Sequence, residues 1–436
     1  MRVLILLFLF FGQHIIAQET VYPAIAHRGS FWITNATIHV GNGTVIDKGY
    51  IKITNDKIES VRTTAPTLST SDIIIDAGGK HVYPGLILCN SQLGLIEVNA
   101  VRATIDHTEI GTINSSIRSI VAYNTDSKVI NTLRYNGILL ANIVPQGGLI
   151  SGSSSVVQLD AWNWEDASYK QDVGMHLSMP ALVIKPNPYA IFTGTDSKSP
   201  AEIVKQNMLK IESLKQFFRE AKAYFQQPAT EEKNLKLEAT KGLFEKKQKL
   251  FIHCELVKEM LVALEFADEF GFDIVLTGAS ESWRIADILA KRNIPVVLAQ
   301  SHSLPNTEDE DVDQPYKNAA ILHKAGVLVA INDEDGQTRG RNLPFNAGTA
   351  AAYGLGKETA LSAITLHAAK ILGIDKTTGS IEAGKDANLL IAKGDILDMR
   401  TNQLTHAFIL GRNIALESKH TQLYERYKNK YQRQNK

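Results

Sequence analysis

Residues 82–98 read VYPGLILCNSQLGLIEV. An apolar run enters Pro84-Gly85, continues through Leu86, Ile87 and Leu88, and brings Asn90 and Gln92 two positions apart. Alternate residues of a strand point the same way, so this spacing predicts two amide side chains on one face at a strand's end. Further along the chain, apolar segments of strand length follow at Gly137–Val144, Ala181–Ile184, Leu250–Cys254, Phe272–Thr277, Ile294–Ala299 and Val327–Asn332. Helical stretches such as AEIVKQNMLKIESLKQFFREAKAYF and SWRIADILAKRN lie between several of them. Strand–helix alternation over this length predicts a parallel sheet, closed as an eight-stranded barrel. Val156–Asp160 is the candidate for the remaining strand, and a doubly wound open sheet is the other architecture the pattern allows.

The 436 residues suffice for one large barrel and a smaller domain. Lys+Arg and Asp+Glu are both 46, so the formal net charge is zero. That balance excludes an electrostatic case for nucleic acid and leaves a small-molecule partner. MRVLILLFLFFGQHIIAQET opens with Arg2, an apolar run and Ala17, the layout of a secretory signal peptide over residues 1–17. A periplasmic or secreted location follows. No run of about 18 apolar residues occurs elsewhere, so no membrane insertion is expected. The two cysteines, Cys89 and Cys254, sit on strands placed apart and are expected to be unpaired thiols facing the helix layer.

Both ends of the chain read differently from the middle. FWITNATIHVGNGTVIDKGYIKITNDKIESV alternates with period two between turn residues, and GSIEAGKDANLLIAKGD and THAFILGRNIAL share that character. One small β-domain assembled from the two ends, 18–80 and 379–415, is expected around a central unit at 81–378, with a basic tail at 416–436. GGLISGSSS (147–155) reads as a surface turn or an anion cradle. Asp309, Asp311 and Asp313 alternate, but that stretch lacks the glycine and terminal glutamate of a calcium loop.

Three segments together resemble the amidohydrolase superfamily, and within it the imidazolonepropionase-related proteins: PGLILCNSQLG, LPFNAGTAAAYGLGKETALSAITLHAAKILGI (343–374) and GSIEAGKDANLLIAKGD. The resemblance implies a (β/α)8 TIM-like barrel with a small β-sandwich domain, and metal-assisted hydrolysis at the barrel's C-terminal mouth. It also implies first-strand histidines where this chain has Asn90 and Gln92, and a strand-six histidine where it has Thr277-Gly278. His253, in KLFIHCE, matches the strand-five histidine; Lys185 is the one candidate for the middle-strand ligand.

The site expected from these matches has Asp333 and Glu334 as catalytic acids or bases and His253 and Asp335 as metal ligands. Asn90, Gln92 and His302 would touch substrate. Amide oxygens are poor zinc ligands, and the twelve histidines are at least twelve positions apart, which excludes any local H-x-H or HExxH motif. The implied cofactor is therefore one divalent ion, zinc first, or none. Two functions remain open: a hydrolase of carbon–nitrogen, non-peptide bonds, and a non-catalytic small-molecule binder on the same barrel. A homo-oligomer is compatible with either. Serine-hydrolase elbows, phosphate loops and C-x-x-C pairs are absent.

Overall fold

The computed structural model describes residues 21–184, 199–227, 232–333 and 339–434. The signal-peptide segment, Lys185, Glu334 and Asp335 lie outside the described residues. β1 (Ser30–His39), β2 (Val45–Thr54), β3 (Lys57–Arg62), β4 (Ile73–Asp76) and β5 (His81–Pro84) come first along the chain. The barrel follows as β6 (Leu86–Ser91), β7 (Ile138–Ile143), β8 (Ile150–Gln158), β9 (Ser168–Ser178), β10 (Lys249–Cys254), β11 (Ile274–Gly278), β12 (Val296–Leu298) and β13 (Val329–Ile331). β14 (Leu389–Ala392), β15 (Leu404–Ile409) and β16 (Arg412–Asn413) return to the first sheet.

That first sheet runs β16-β15-β14-β5-β1-β2-β3, with β4 on β1. Period-two burial explains it: Phe31, Ile33, Ile51, Ile53, Leu389 and Phe408 turn to one core. The Phe31 and Phe408 rings meet at 5.4 Å although their strands are not neighbours. The pairing is one continuous sheet that curls over its own core, where the sequence suggested a sandwich. The stretch 81–88 divides at Gly85: β5 pairs with β14, and β6 starts the barrel. A Cβ at Gly85 would stand 2.6 Å from the Leu139 side chain, so the crossing from one sheet to the other is made where no side chain intrudes.

The barrel sheet runs β13-β12-β11-β10-β9-β8-β7-β6. Seven strands are parallel, but β8 is antiparallel to both β7 and β9. GGLISGSSS is thus the start of a buried inverted strand, neither surface turn nor cradle. Its small side chains let the segment after β6 lie close. A Cβ at Gly152 would meet the Ile117 carbonyl at 2.5 Å, and Ile113 and Arg118 bridge to Ile150 and Ser153. The fourth strand is β9, not Ala181–Ile184, which is irregular. Its apolar residues lie beyond the ladder because β9 has already supplied the pairing that β10 needs.

Ile87, Leu140, Val156, Phe251, Val275, Val297 and Ala330, with Ala368 and Ile371 from below, fill the barrel interior. Cys89 belongs to this layer, a correction to the outward placement expected from simple alternation; the ladder is irregular between Leu88 and Ser91. Cys254 packs outward, and both thiols are unpaired and buried. The seam between β13 and β6 is closed by a side chain. Asn332 Oδ1 accepts from the Cys89 and Asn90 amides at 3.0 and 3.2 Å, and its Nδ2 donates to the Asn90 carbonyl at 2.8 Å. A buried amide here does the work of a strand neighbour.

Helices cover the outside, among them α1 (Lys128–Tyr135), α2 (Pro200–Gln226), α3 (Val257–Phe270), α4 (Ala286–Lys291), α5 (Gln314–Ala325), α6 (Leu343–Ala350), α7 (Lys357–Ala363), α8 (Leu366–Leu372) and α9 (Lys419–Gln434). α2 begins with a Ser199–Glu202 capping box and Pro200 in the first turn. α3 stops at Gly271, whose φ of 73° suits a left-handed cap. Among the described residues no helix is long and apolar enough to cross a membrane.

Candidate active site

Barrel strands present their C-terminal ends to one mouth, and interior residues alternate with helix-facing ones. On β10, Phe251 lies in the interior and His253, two residues on, occupies the next layer up. On β9, His176 lies level with Phe251, and its ring stacks on the Phe251 ring at 4.9 Å. His176 Nδ1 and His253 Nε2 are 2.9 Å apart, and His176 Nε2 is 2.8 Å from Ser154 Oγ on the inverted strand.

The direction of this chain of hydrogen bonds follows from its far end. Ser154 Oγ–H donates to the Gly174 carbonyl at 3.3 Å, so the hydroxyl accepts from His176 Nε2–H. His176 Nδ1 is then a lone pair, and it accepts from His253 Nε2–H. The arrangement leaves His253 Nδ1 as a lone pair with no hydrogen bond among the described residues. His253 lines an open cleft of about 630 Å³ with Met179, Ala181, Leu256, Thr277 and Asn306.

Burial without a carboxylate partner disfavours the charged imidazole. It pushes His253 down to about 4, and it pushes His176, with the neighbouring His253 as a lesser cause, well below the ordinary histidine value. Both rings are therefore neutral near pH 7. The linkage sign follows. Above about pH 6.5 neither state binds these protons and stability is unaffected. As pH falls below 6.5 the unfolded chain takes up protons that the native rings refuse, so stability is lost, for His253 until about pH 4. Each ring is expected to remove up to about 1.4 kcal/mol per pH unit in that window. Urea denaturation at pH 7 and pH 5 measures this, and His176→Phe is expected to flatten the dependence.

The sequence-derived site residues are only partly brought together. Asp333 is buried at the end of β13, where its Oδ2 accepts from Asn346 Nδ2 of α6 at 2.9 Å. Asn90 is buried with its backbone held by Asn332, and Gln92 is half-buried beyond it. Neither of them lines the His253 cleft. His302 is placed elsewhere: its Nε2 contacts Thr349 Oγ1 at 2.7 Å, and it lines a shallow cleft with Phe345, Tyr353 and Met399. The helix-side Asn346, which accepts from the His302 amide at 3.2 Å, draws that loop away from His253. His176 was missed by the sequence reading. Its signal was present in GMHLSM, an apolar run with one histidine, but the fourth strand had been placed after it.

A zinc ion needs several nitrogen, sulfur or carboxylate donors converging on one point. Among the described residues no group of three His, Cys, Asp or Glu converges in that way. Both nitrogens of His176 and one of His253 are already engaged with protein groups. The donors described here do not fit a structural or dimetal zinc centre, and no chemical step is routed through one.

The comparisons with known proteins agree with this architecture. Residues 250–415, from β10 to just beyond β16, match the amidohydrolase family. Over that segment the chain is similar to the amidohydrolase family. A short stretch of the chain is also similar to imidazolonepropionases. It is 37% identical over 82 residues to the imidazolonepropionase of Flavobacterium johnsoniae, covering 18% of this chain and 20% of that one. It is 36% identical over 86 residues to that of Thermoplasma volcanium, covering 19% and 21%. The chain thus spans about a fifth of the length of these curated relatives. An amidohydrolase from Thermotoga maritima superposes with a TM-score of 0.75 at 24% identity, over 88% of this chain and 99% of that one. Molinate hydrolase does so with 0.53 at 16% identity, over 90% and 96%. At these identities the superpositions speak for the fold.

Proposed function

We propose that this protein is a hydrolase of carbon–nitrogen, non-peptide bonds that works at the barrel mouth with one divalent ion at most. The observation that carries this reading is the His253 imidazole: neutral, oriented by His176 through Nε2, and lining an open cleft. A neutral imidazole fixed through its other nitrogen is suited to take the proton of an attacking water. As Nδ1 gains that proton, the Nε2–H bond to His176 becomes charge-assisted and stronger. Asp333, and Glu334 with Asp335 beyond it, would supply the carboxylate of the pair. The amide and hydroxyl side chains at Asn90, Gln92 and Thr277 are the reason to limit the metal to one zinc ion or none, since imidazoles stand there in the family pattern. The signal-like N-terminus adds a periplasmic or secreted location to the proposal.

The test is a screen of cyclic and linear amides, ureas and amidines, with metal content measured on protein purified without chelator. Turnover that survives metal removal supports His253 acting directly. Turnover that tracks one bound ion per chain supports the single-ion form. The second reading, a binder without chemistry, is favoured by the closed His176–His253 pair, and it prevails if ligands are retained in the cleft while none is converted.

A further inference from the structure

The His253 cleft does not end at His253. It shares Glu255, Gly278 and Asn306 with an adjoining hollow of about 260 Å³ that Gln300, Ser280 and Leu298 also line. Together they form one mouth with three carboxylates at its edge: Glu255, Glu259 and Glu310. Among the described residues no lysine or arginine lines either part.

Two of these carboxylates are accounted for. Glu259 accepts the backbone amides of Leu182, Glu255 and Leu256 at 3.1–3.2 Å. Glu310 pairs with Arg284 at 3.2 Å and accepts the Asn306 amide at 2.7 Å. Glu255 differs. Its Oε2 accepts the Ser280 amide at 3.2 Å, and among the described residues no cation is paired with it. The chain makes room for it at Gly278, where a Cβ would stand 2.2 Å from Glu255 Oε1. The strand-six position that holds a histidine in the family pattern is here a threonine and a glycine that let this carboxylate sit at the lip.

Two further acceptors lie in the same mouth. Thr277 is 1% exposed, yet its Oγ1 has no hydrogen-bond partner among the described residues. Gln300 Oε1 is likewise buried without one among the described residues. Buried acceptors cost free energy unless a donor reaches them. A carboxylate with no cation among the described residues, in a mouth that also holds two such acceptors, calls for a ligand that brings positive charge and several N–H groups.

We propose that this mouth binds a cationic nitrogen ligand, an amine or amidinium, with Glu255 as its charge partner and Gln300 Oε1 and Thr277 Oγ1 as hydrogen-bond acceptors. The inference rests on the proposed function in taking this mouth as the ligand site, and it names the substrate class. Burial and the neighbouring Glu259 raise Glu255 above the ordinary carboxylate value, which a bound cation would reverse.

The test uses three probes of one shape: benzamidine, benzamide and benzoate, titrated calorimetrically into the full chain. Benzamidine is expected to bind about tenfold or more tightly than benzamide, with benzoate weakest. Glu255→Gln is expected to erase that order, while Glu310→Gln, a carboxylate already paired, leaves it in place. Thermal melting of each variant checks that it is folded. Equal affinity for the three probes, a preference that survives Glu255→Gln, or no binding of benzamidine at millimolar concentration overturns the proposal. The two readings fail separately: turnover that needs His253 without any cation preference overturns this inference alone. A Glu255-dependent preference without turnover upholds it and removes the hydrolase reading.

Discussion

Asp160→Ala is expected to destabilise the protein by about 3–5 kcal/mol, because it strands buried guanidinium charge. Asp160 is 1% exposed and Arg134 3% exposed, and the two are directly paired. Arg412 of β16 reaches the other carboxylate oxygen at 3.2 Å, and the Ala24 amide donates to that same oxygen at 2.9 Å. One carboxylate thus joins α1, the end of β8, the small sheet and the segment leading into β1. A domain's whole stability is about 5–15 kcal/mol, so the loss is a large share of it. Asp160→Asn keeps the acceptor oxygen and is expected to cost less, about 1.5–3 kcal/mol. By contrast, removing Glu269, whose partner Arg219 is 44% exposed, is expected to cost no more than about 1 kcal/mol. Urea denaturation of the three variants at one pH ranks them directly. A cost for Asp160→Ala no greater than that for the Glu269 variant would contradict the assignment.

His253→Ala is expected to lower kcat/KM on a hydrolysed substrate by about 10²–10⁴-fold, the usual range for a general base. The loss should fall on kcat, since the proton is taken only as the transition state forms. His176→Phe keeps a ring on Phe251 but removes the acceptor for His253 Nε2–H. His176 acts only through His253, so its variant should lose less rate. It should also change the pH profile, because the His253 tautomer is no longer fixed. An unchanged pH profile would reduce His176 to a packing role.

Much of the architecture was legible in the sequence, and the reasons are local. The break at Pro84-Gly85, the apolar strand runs and the period-two ends of the chain each carry a physical signature that survives folding. The inverted strand β8 was legible only at its end, where Val156–Asp160 was the candidate strand. Glycine and serine at 152–155 carry no apolar alternation, and only the packing of the 113–118 segment against them shows why they are small. β9 was the strand missed: the fourth strand was placed at Ala181–Ile184 in place of Ser168–Ser178, and His176 was lost with it.

The candidate site was legible one residue at a time. His253 followed from its strand position, whereas its pairing with His176 and Ser154 joins positions 77 and 22 apart in sequence. No spacing rule reaches that far. His302 was misplaced because a loop's direction is set by what it packs on, here Asn346 and Thr349. Asn332 shows the same limit: it was read as the last residue of a strand, and its side chain closes the barrel seam.

The account turns on which nitrogen of His253 is left to act. Nitrogen NMR of protein labelled at histidine, recorded near neutral pH, reads this directly when His253→Gln is used to assign the signals. The structure predicts a neutral ring with the proton on Nε2 and an unprotonated Nδ1. A proton found on Nδ1, or a charged ring, would contradict the account, since the nitrogen not engaged by His176 would then have no lone pair to offer.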